Sequence, residues 1–237
     1  MTSAFPEIII LAGGFGTRLQ SIVKDVPKPM APIAGKPFLY WLLNYISKYN
    51  PPKIILCTGY KHEVIEDYFG NLFEGIPLVY SIETEPLGTG GAIKKAFDLT
   101  TCERLIALNG DTFFKMDYKA FLEFHLNNKS EFTMALKPLN KPARYGTVIL
   151  NDLKIVSFKE KNPDLDQGLI NTGVYLFNQT IVQKFPNLLK FSFENDFMEK
   201  QTHSMIINGF VSENYFIDIG IPEDFKKAND EFPGLFN

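Results

Sequence analysis

The chain has 237 residues, 45% of them hydrophobic, and carries 24 basic against 27 acidic side chains for a net charge of −3. This excludes a general nucleic-acid binder, which would show a basic excess, and supplies a core for one domain of moderate size or two small lobes. No apolar run approaches a membrane span, no basic residue precedes the first apolar run, and Cys57 and Cys102 make neither a disulfide framework nor a zinc site. The expectation is a cytoplasmic protein with reduced cysteines and no membrane partner.

In chain order, "EIIILAGG" reads as a strand and "FLYWLLNYISKY" as a helix whose apolar residues recur at three and four positions. "KIILCTG", "PLVYSIE" and "RLIALNGD" are further strands, with "HEVIEDYF" and "GGAIKKAFDL" as intervening helices. This alternation predicts a mainly parallel sheet with helices on both faces. The second half reads differently. "EFTMALKP", "GTVILND", "KIVSFKEK" and "LINTGVYLF" are strands with few long helices between them, and "NDFMEKQ" is a short helix. "SMIINGFVS" and "NYFIDIG" are later strands, and "PEDFKKANDEF" closes the chain as a helix. The pattern predicts an α/β fold, a Rossmann-like three-layer sandwich with a mainly parallel mixed sheet and a smaller antiparallel part. It forms one domain, with a nucleotide-binding half at about residues 1–115 and a second half at about 116–237.

Open α/β sheets bind ligands beyond the carboxyl ends of their strands. Four polar clusters fall at such ends: residues 13–18, 83–91, 109–111 and 218–220. Gly13, Gly14 and Gly16 let backbone N–H groups approach an anion, and Arg18 adds a planar fork of donors. No Gly-Lys-Ser/Thr follows, and the position that would complete G-x-G-x-x-G is Leu19, so neither common phosphate-loop signature is present. Glycines after a strand often only make a turn. Lys28, however, sits between Pro27 and Pro29, which hold it in an extended segment.

"LAGGFGTRL" followed by "PKPM" resembles the signature of the sugar-1-phosphate nucleotidylyltransferases, which join a nucleoside triphosphate to a sugar 1-phosphate and release pyrophosphate. The resemblance continues through "EPLGTGGA", "NGD", "FKEKN", "LINTGVY" and "IDIGIPEDF", covering nearly the whole chain. It implies that Leu11, Ala12, Gly13, Gly14, Gly16, Thr17 and Arg18 hold the triphosphate, with Glu83, Gly88, Thr89 and Asn109 completing the nucleotide site. It also implies Mg2+ on Asp111 and Asp218, and a sugar-phosphate site made by Gly146, Glu160, Lys161, Asn171 and Thr172. Asn162 stands where the family often has proline. In the implied reaction an ionised sugar-phosphate oxygen attacks the α-phosphorus, so no general base is needed. Catalysis then rests on in-line positioning and charge neutralisation by Arg18, Lys28, Lys161 and magnesium.

"EPLGT" is similar to the base loop of guanylyl-transferring members, where Glu83 or Glu85 would accept the N1–H and N2–H2 donors of guanine, favouring GTP. Together with "KDVPKPMAPI", "RYGTV" and "YFIDIG", this makes the chain most similar to the D-glycero-α-D-manno-heptose 1-phosphate guanylyltransferases, which serve surface polysaccharide synthesis. Transfer to mannose 1-phosphate or N-acetylmuramate 1-phosphate remains open, as does cytidylyl transfer to phosphocholine. A regulatory subunit that binds nucleotide sugars without turnover is the alternative of another class. Relatives often form oligomers, so a homo-oligomer is compatible with the resemblance. His62, His125 and His203 receive no role.

Overall fold

The computed structural model describes residues 5–14, 26–159, 165–202 and 204–236. The chain begins with β1 (Glu7–Leu11), followed after a 3-10 turn at Lys28–Met30 by β2 (Pro32–Ile33), β3 (Lys36–Pro37) and α1 (Phe38–Ser47). Next come β4 (Ile54–Thr58), α2 (His62–Phe69), β5 (Leu72–Phe73), β6 (Ile76–Ile82) and α3 (Gly88–Ala96). Then follow β7 (Arg104–Asn109), β8 (Thr112–Phe114), α4 (Tyr118–Asn127), β9 (Phe132–Asn140), β10 (Thr147–Asn151), β11 (Lys154–Lys159) and β12 (Gln167–Asn178). A π-helical turn at Phe193–Met198 runs into α5 (Glu199–Gln201), and β13 (Ile207–Val211), β14 (Phe216–Asp218) and α6 (Pro222–Leu235) complete the chain.

A ten-stranded sheet has the order β10-β11-β13-β9-β12-β7-β1-β4-β6-β5. Its centre is parallel, β7-β1-β4-β6, and both faces are covered, which is why these strands read as continuous apolar runs rather than alternating ones. Ile8 and Ile10 face one core layer with α1, α4 and α6, whereas Ile9 faces the other with α3 and the π-helical turn. The mixed three-layer architecture is the expected one. The antiparallel part is not detached from it: β12 lies between β9 and β7 and pairs antiparallel with both, while β13 is parallel to β9.

β12 is a single strand serving two neighbourhoods. Its first residues also pair with β10, at Thr147↔Ile170 and Val148↔Leu169, and its last five pair with β7. Between them the register against β9 shifts, from Asn171↔Leu136 to Tyr175↔Met134. Gly173 supplies the bulge with φ +72°, a left-handed conformation that a side chain would strain. A Cβ there would also strike the Asn109 side chain.

Helix α4 lies between β8 and β9. Asp117 caps it by accepting from the N–H groups of Lys119 (2.8 Å) and Ala120 (3.2 Å), and Tyr118, Phe121, Leu122 and His125 form its buried stripe. Cys57 is buried and Cys102 half-buried, and both are free thiols.

His125 is buried with Nδ1 2.8 Å from Thr133 Oγ1 and Nε2 3.3 Å from Asn178 Oδ1. Burial holds its pKa below the ordinary histidine value, outweighing the Asn178 contact that raises it. The unfolded chain therefore binds more protons between the folded and unfolded pKa values. His125 contributes stability above the unfolded value near 6.5 that is lost as pH falls below it. Urea unfolding from pH 7.5 to 5 is expected to show this as a slope of at most about 1.4 kcal/mol per pH unit, absent from the His125→Gln variant. Equal slopes in the two proteins would assign the pH dependence elsewhere.

Candidate active site

The carboxyl ends of β1, β4, β6 and β7 form one rim, because those strands are parallel and in register. Gly110 donates its N–H to Leu11 O at 2.9 Å, placing the Asn109–Asp111 corner against the end of β1. Ala12 donates to Cys57 O at 2.8 Å, and Glu83 N donates to Thr58 O at 2.7 Å. Gly13 lies against Gly59 and Glu83, where a Cβ would come within 3.0 Å of Glu83 Oε1. The structure thus brings together Leu11, Ala12, Gly13, Glu83 and Asn109. Gly14 is exposed, with open space where a side chain would be. Gly16, Thr17 and Arg18 lie outside the described residues.

Across the same rim, β8 and β14 pair antiparallel, with Asp218 opposite Thr112. Ile219 donates its N–H to Asp111 O at 3.1 Å, so the two aspartates, far apart in sequence, become neighbours. Between them stands Lys28. Its ammonium is 2.6 Å from Asp111 Oδ2 and 3.4 Å from Asp218 Oδ1, and its side chain is largely buried. Burial pushes the Asp218 carboxyl up, the Asp111 charge adds to the rise, and Lys28 and the Gly220 N–H oppose it. Two carboxylates therefore converge on one cation at the mouth of the parallel strands. They are hard oxygen donors of the kind magnesium takes together with phosphate oxygens and water.

In the loop before α3, Glu83 Oε2 accepts the Leu87 N–H at 2.9 Å, which uses one carboxylate oxygen to shape the loop, and burial raises its pKa. Glu85 is exposed. Gly88 has φ +72°, and a Cβ there would lie 2.6 Å from Phe191 O. The glycines of "GTGG" thus let residues 189–193 pack directly on α3. Phe191 N donates to Leu87 O, and Gly90 N donates to Phe191 O, both at 3.0 Å. The Thr89 hydroxyl is engaged in the same contact, accepting from Phe193 N at 2.9 Å and donating to Glu194 Oε2 at 2.6 Å.

On the other flank, Asn171 N donates to Gly146 O at 2.8 Å, joining two of the expected sugar-side residues. Thr172 is placed otherwise than expected. The β12 bulge turns it inward, and its buried hydroxyl donates to Ala135 O at 2.8 Å rather than facing a ligand. Glu160 and Lys161 lie outside the described residues. Sequence reasoning passed over Arg144, whose guanidinium donates to Asp224 Oδ2 at 2.6 Å and to Tyr145 OH at 2.7 Å. The Tyr145 ring meets Phe216 edge-on. These contacts fasten residues 144–146 to β14 and α6, the elements that carry and follow Asp218. Local sequence gives no sign of a pairing across eighty positions.

Comparison with known proteins identifies the family. A family model described as nucleotidyl transferase matches residues 7–233. The chain is 52% identical over 225 residues to a D-glycero-alpha-D-manno-heptose 1-phosphate guanylyltransferase of Aneurinibacillus thermoaerophilus, covering 95% of this chain and 97% of the relative. It is 45% identical to the enzyme of that name from Campylobacter jejuni, covering 92% and 96%. Among solved structures, HddC from Yersinia pseudotuberculosis complexed with GMP-PN superposes with a TM-score of 0.85 at 41% identity, covering 96% and 99%. Matched along almost its whole length, the chain belongs to the nucleotidyl transferase family.

Proposed function

We propose that this chain transfers the guanylyl group of GTP to D-glycero-α-D-manno-heptose 1-phosphate, releasing pyrophosphate, in nucleotide-sugar synthesis for surface polysaccharide. The observation that carries the reaction type is the convergence of Asp111 and Asp218 on the Lys28 ammonium at the strand-end rim. The choice of base and sugar is supported by the full-length identity to enzymes named for them.

A sugar-phosphate oxygen forms the new bond to the α-phosphorus, and the bond from that phosphorus to the β-phosphate bridging oxygen breaks. The nucleophile is already anionic, so the barrier is one of bringing anions together in line. Asp111 and Asp218 would hold magnesium, which when bound neutralises charge on the departing pyrophosphate. Lys28 is confined by Pro27 and Pro29 and carries its positive charge at the junction of the two carboxylates, where it would meet phosphate oxygens. Arg18 and Lys161 are proposed as the further phosphate cations. Gly13 and the Asn109 corner bring the backbone of two adjacent strand ends to the nucleotide, and Gly146 and Asn171 form the sugar flank. Localisation in the cytoplasm is part of the proposal; among the described residues no helix is long and apolar enough to cross a membrane.

The test is pyrophosphate release with magnesium across a matrix of nucleoside triphosphates and sugar 1-phosphates. Turnover is expected with GTP and the heptose phosphate in preference to every other pair. A preference for UTP, dTTP or a hexose 1-phosphate would keep the reaction type and overturn the base or sugar assignment.

A further inference from the structure

A chain of hydrogen bonds joins the loop proposed to hold the nucleotide to the strand proposed to hold the sugar, and its centre is Glu194 on the π-helical turn. One carboxylate oxygen, Oε2, accepts from Thr89 Oγ1 at 2.6 Å and from Ser192 Oγ at 3.1 Å. The other, Oε1, accepts from the hydroxyl of the buried Tyr175 at 3.3 Å. That hydroxyl in turn accepts from Asn171 Nδ2 at 2.7 Å, and Asn171 Oδ1 accepts the Gly173 N–H at 3.0 Å.

Thr89 Oγ1 already accepts from Phe193 N, so its single proton goes to Glu194. The Gly173 N–H sets the Asn171 amide with its nitrogen towards Tyr175, so that hydroxyl accepts from Asn171 and has Glu194 Oε1 within reach of its proton. The Thr89, Ser192 and Tyr175 hydroxyls thus all meet one carboxylate, two on one oxygen and one on the other. Gly173 rests against Asn109, so the far end of the chain reaches the corner that presents Asp111. A helix of π form, whose wider turn is common at functional positions, places the carboxylate between the two elements.

We propose that Glu194 is a positioning residue that couples nucleotide binding to sugar-phosphate binding, with Tyr175 as the relay to Asn171. This deepens the proposed function and rests on it. Ordering Thr89 on one side orders Asn171 on the other, so each substrate tightens the binding of its partner, by the same factor in both directions. Replacing the acid by its amide sets a donor either against the Tyr175 hydroxyl or against the Thr89 and Ser192 hydroxyls. Either Thr89 is released, or Tyr175 reverses and Asn171 loses the orientation that Gly173 imposes.

The experiment is titration calorimetry of guanosine 5′-(α,β-methylene)triphosphate with magnesium, with and without saturating D-glycero-α-D-manno-heptose 1-phosphate. It uses the wild type, Glu194→Gln and Tyr175→Phe, each first shown to be folded by its melting curve. The sugar phosphate is expected to tighten nucleotide binding by about fivefold or more in the wild type. In both variants that ratio is expected to fall towards one, while nucleotide affinity without the sugar changes far less. Undiminished coupling in both variants, loss confined to nucleotide affinity alone, or no coupling in a wild type that turns over would overturn the proposal. A wild type that turns over no substrate pair would instead overturn the functional reading, and this inference with it.

Discussion

Asp111→Asn is expected to lower kcat by about a hundred- to a thousand-fold, the range found when one electrostatic stabiliser of a transition state is removed. The asparagine keeps the shape and one oxygen, so the loss reports the charge. The same change is expected to leave the fold intact, with a melting temperature equal to or above that of the wild type. Burial raises the Asp218 pKa and the Asp111 charge adds to the rise, so removing that charge relieves a repulsion while Lys28 keeps Asp218. The diagnostic result is this opposition of activity and stability. A variant that lost both together would show that the aspartate is a structural partner of Lys28 rather than part of the reaction centre.

The largest effect on stability is expected at Phe193, by about 3–5 kcal/mol on replacement with alanine. The ring is fully buried, with the rings of Tyr175 at 5.1 Å, Phe197 at 5.3 Å, Phe185 at 5.8 Å, Phe132 at 5.9 Å and Phe177 at 6.1 Å. These neighbours come from β9, β12 and the segment following it, so collapse into the cavity would have to move several elements together. Against a typical domain stability of about 5–15 kcal/mol the loss is severe. It would be read from the urea midpoint at constant slope. Phe193→Leu, which keeps most of the volume, is expected to cost less. A cost below about 1 kcal/mol for the alanine variant would mean that the cluster relaxes freely into the space.

The sequence made the parallel centre legible for a physical reason. Ile8–Ile10, Ile54–Cys57 and Leu105–Leu108 are buried on both faces, so they form apolar runs too short for buried helices. Lys28, Asp111 and Asp218 could each be singled out because proline or a strand end fixed their surroundings. Helix α4 was also written in the chain, in the cap at Asp117 and the spacing of Tyr118, Phe121, Leu122 and His125. Glu194 was not. Its partners lie on α3 and β12, and nothing near it in sequence announces them. Thr172 was assigned with Asn171 from the resemblance of "LINTGVY" alone, and beside the bulge at Gly173 its hydroxyl is taken up by Ala135 O.

The position of β12 between β9 and β7 also governs the order in which the chain can fold during synthesis. When only the first 115 or so residues have emerged, β7 has β1 on one side and nothing on the other. The edge left open is Arg104–Leu108, an apolar stretch without proline, and such edges recruit other chains. Its partner, Val174–Asn178, arrives some seventy residues later. The first half of the chain is thus a template that waits on the ribosome for the second half to close it. Truncations ending between β7 and β12 should collect as aggregates rather than as a smaller, working nucleotide binder.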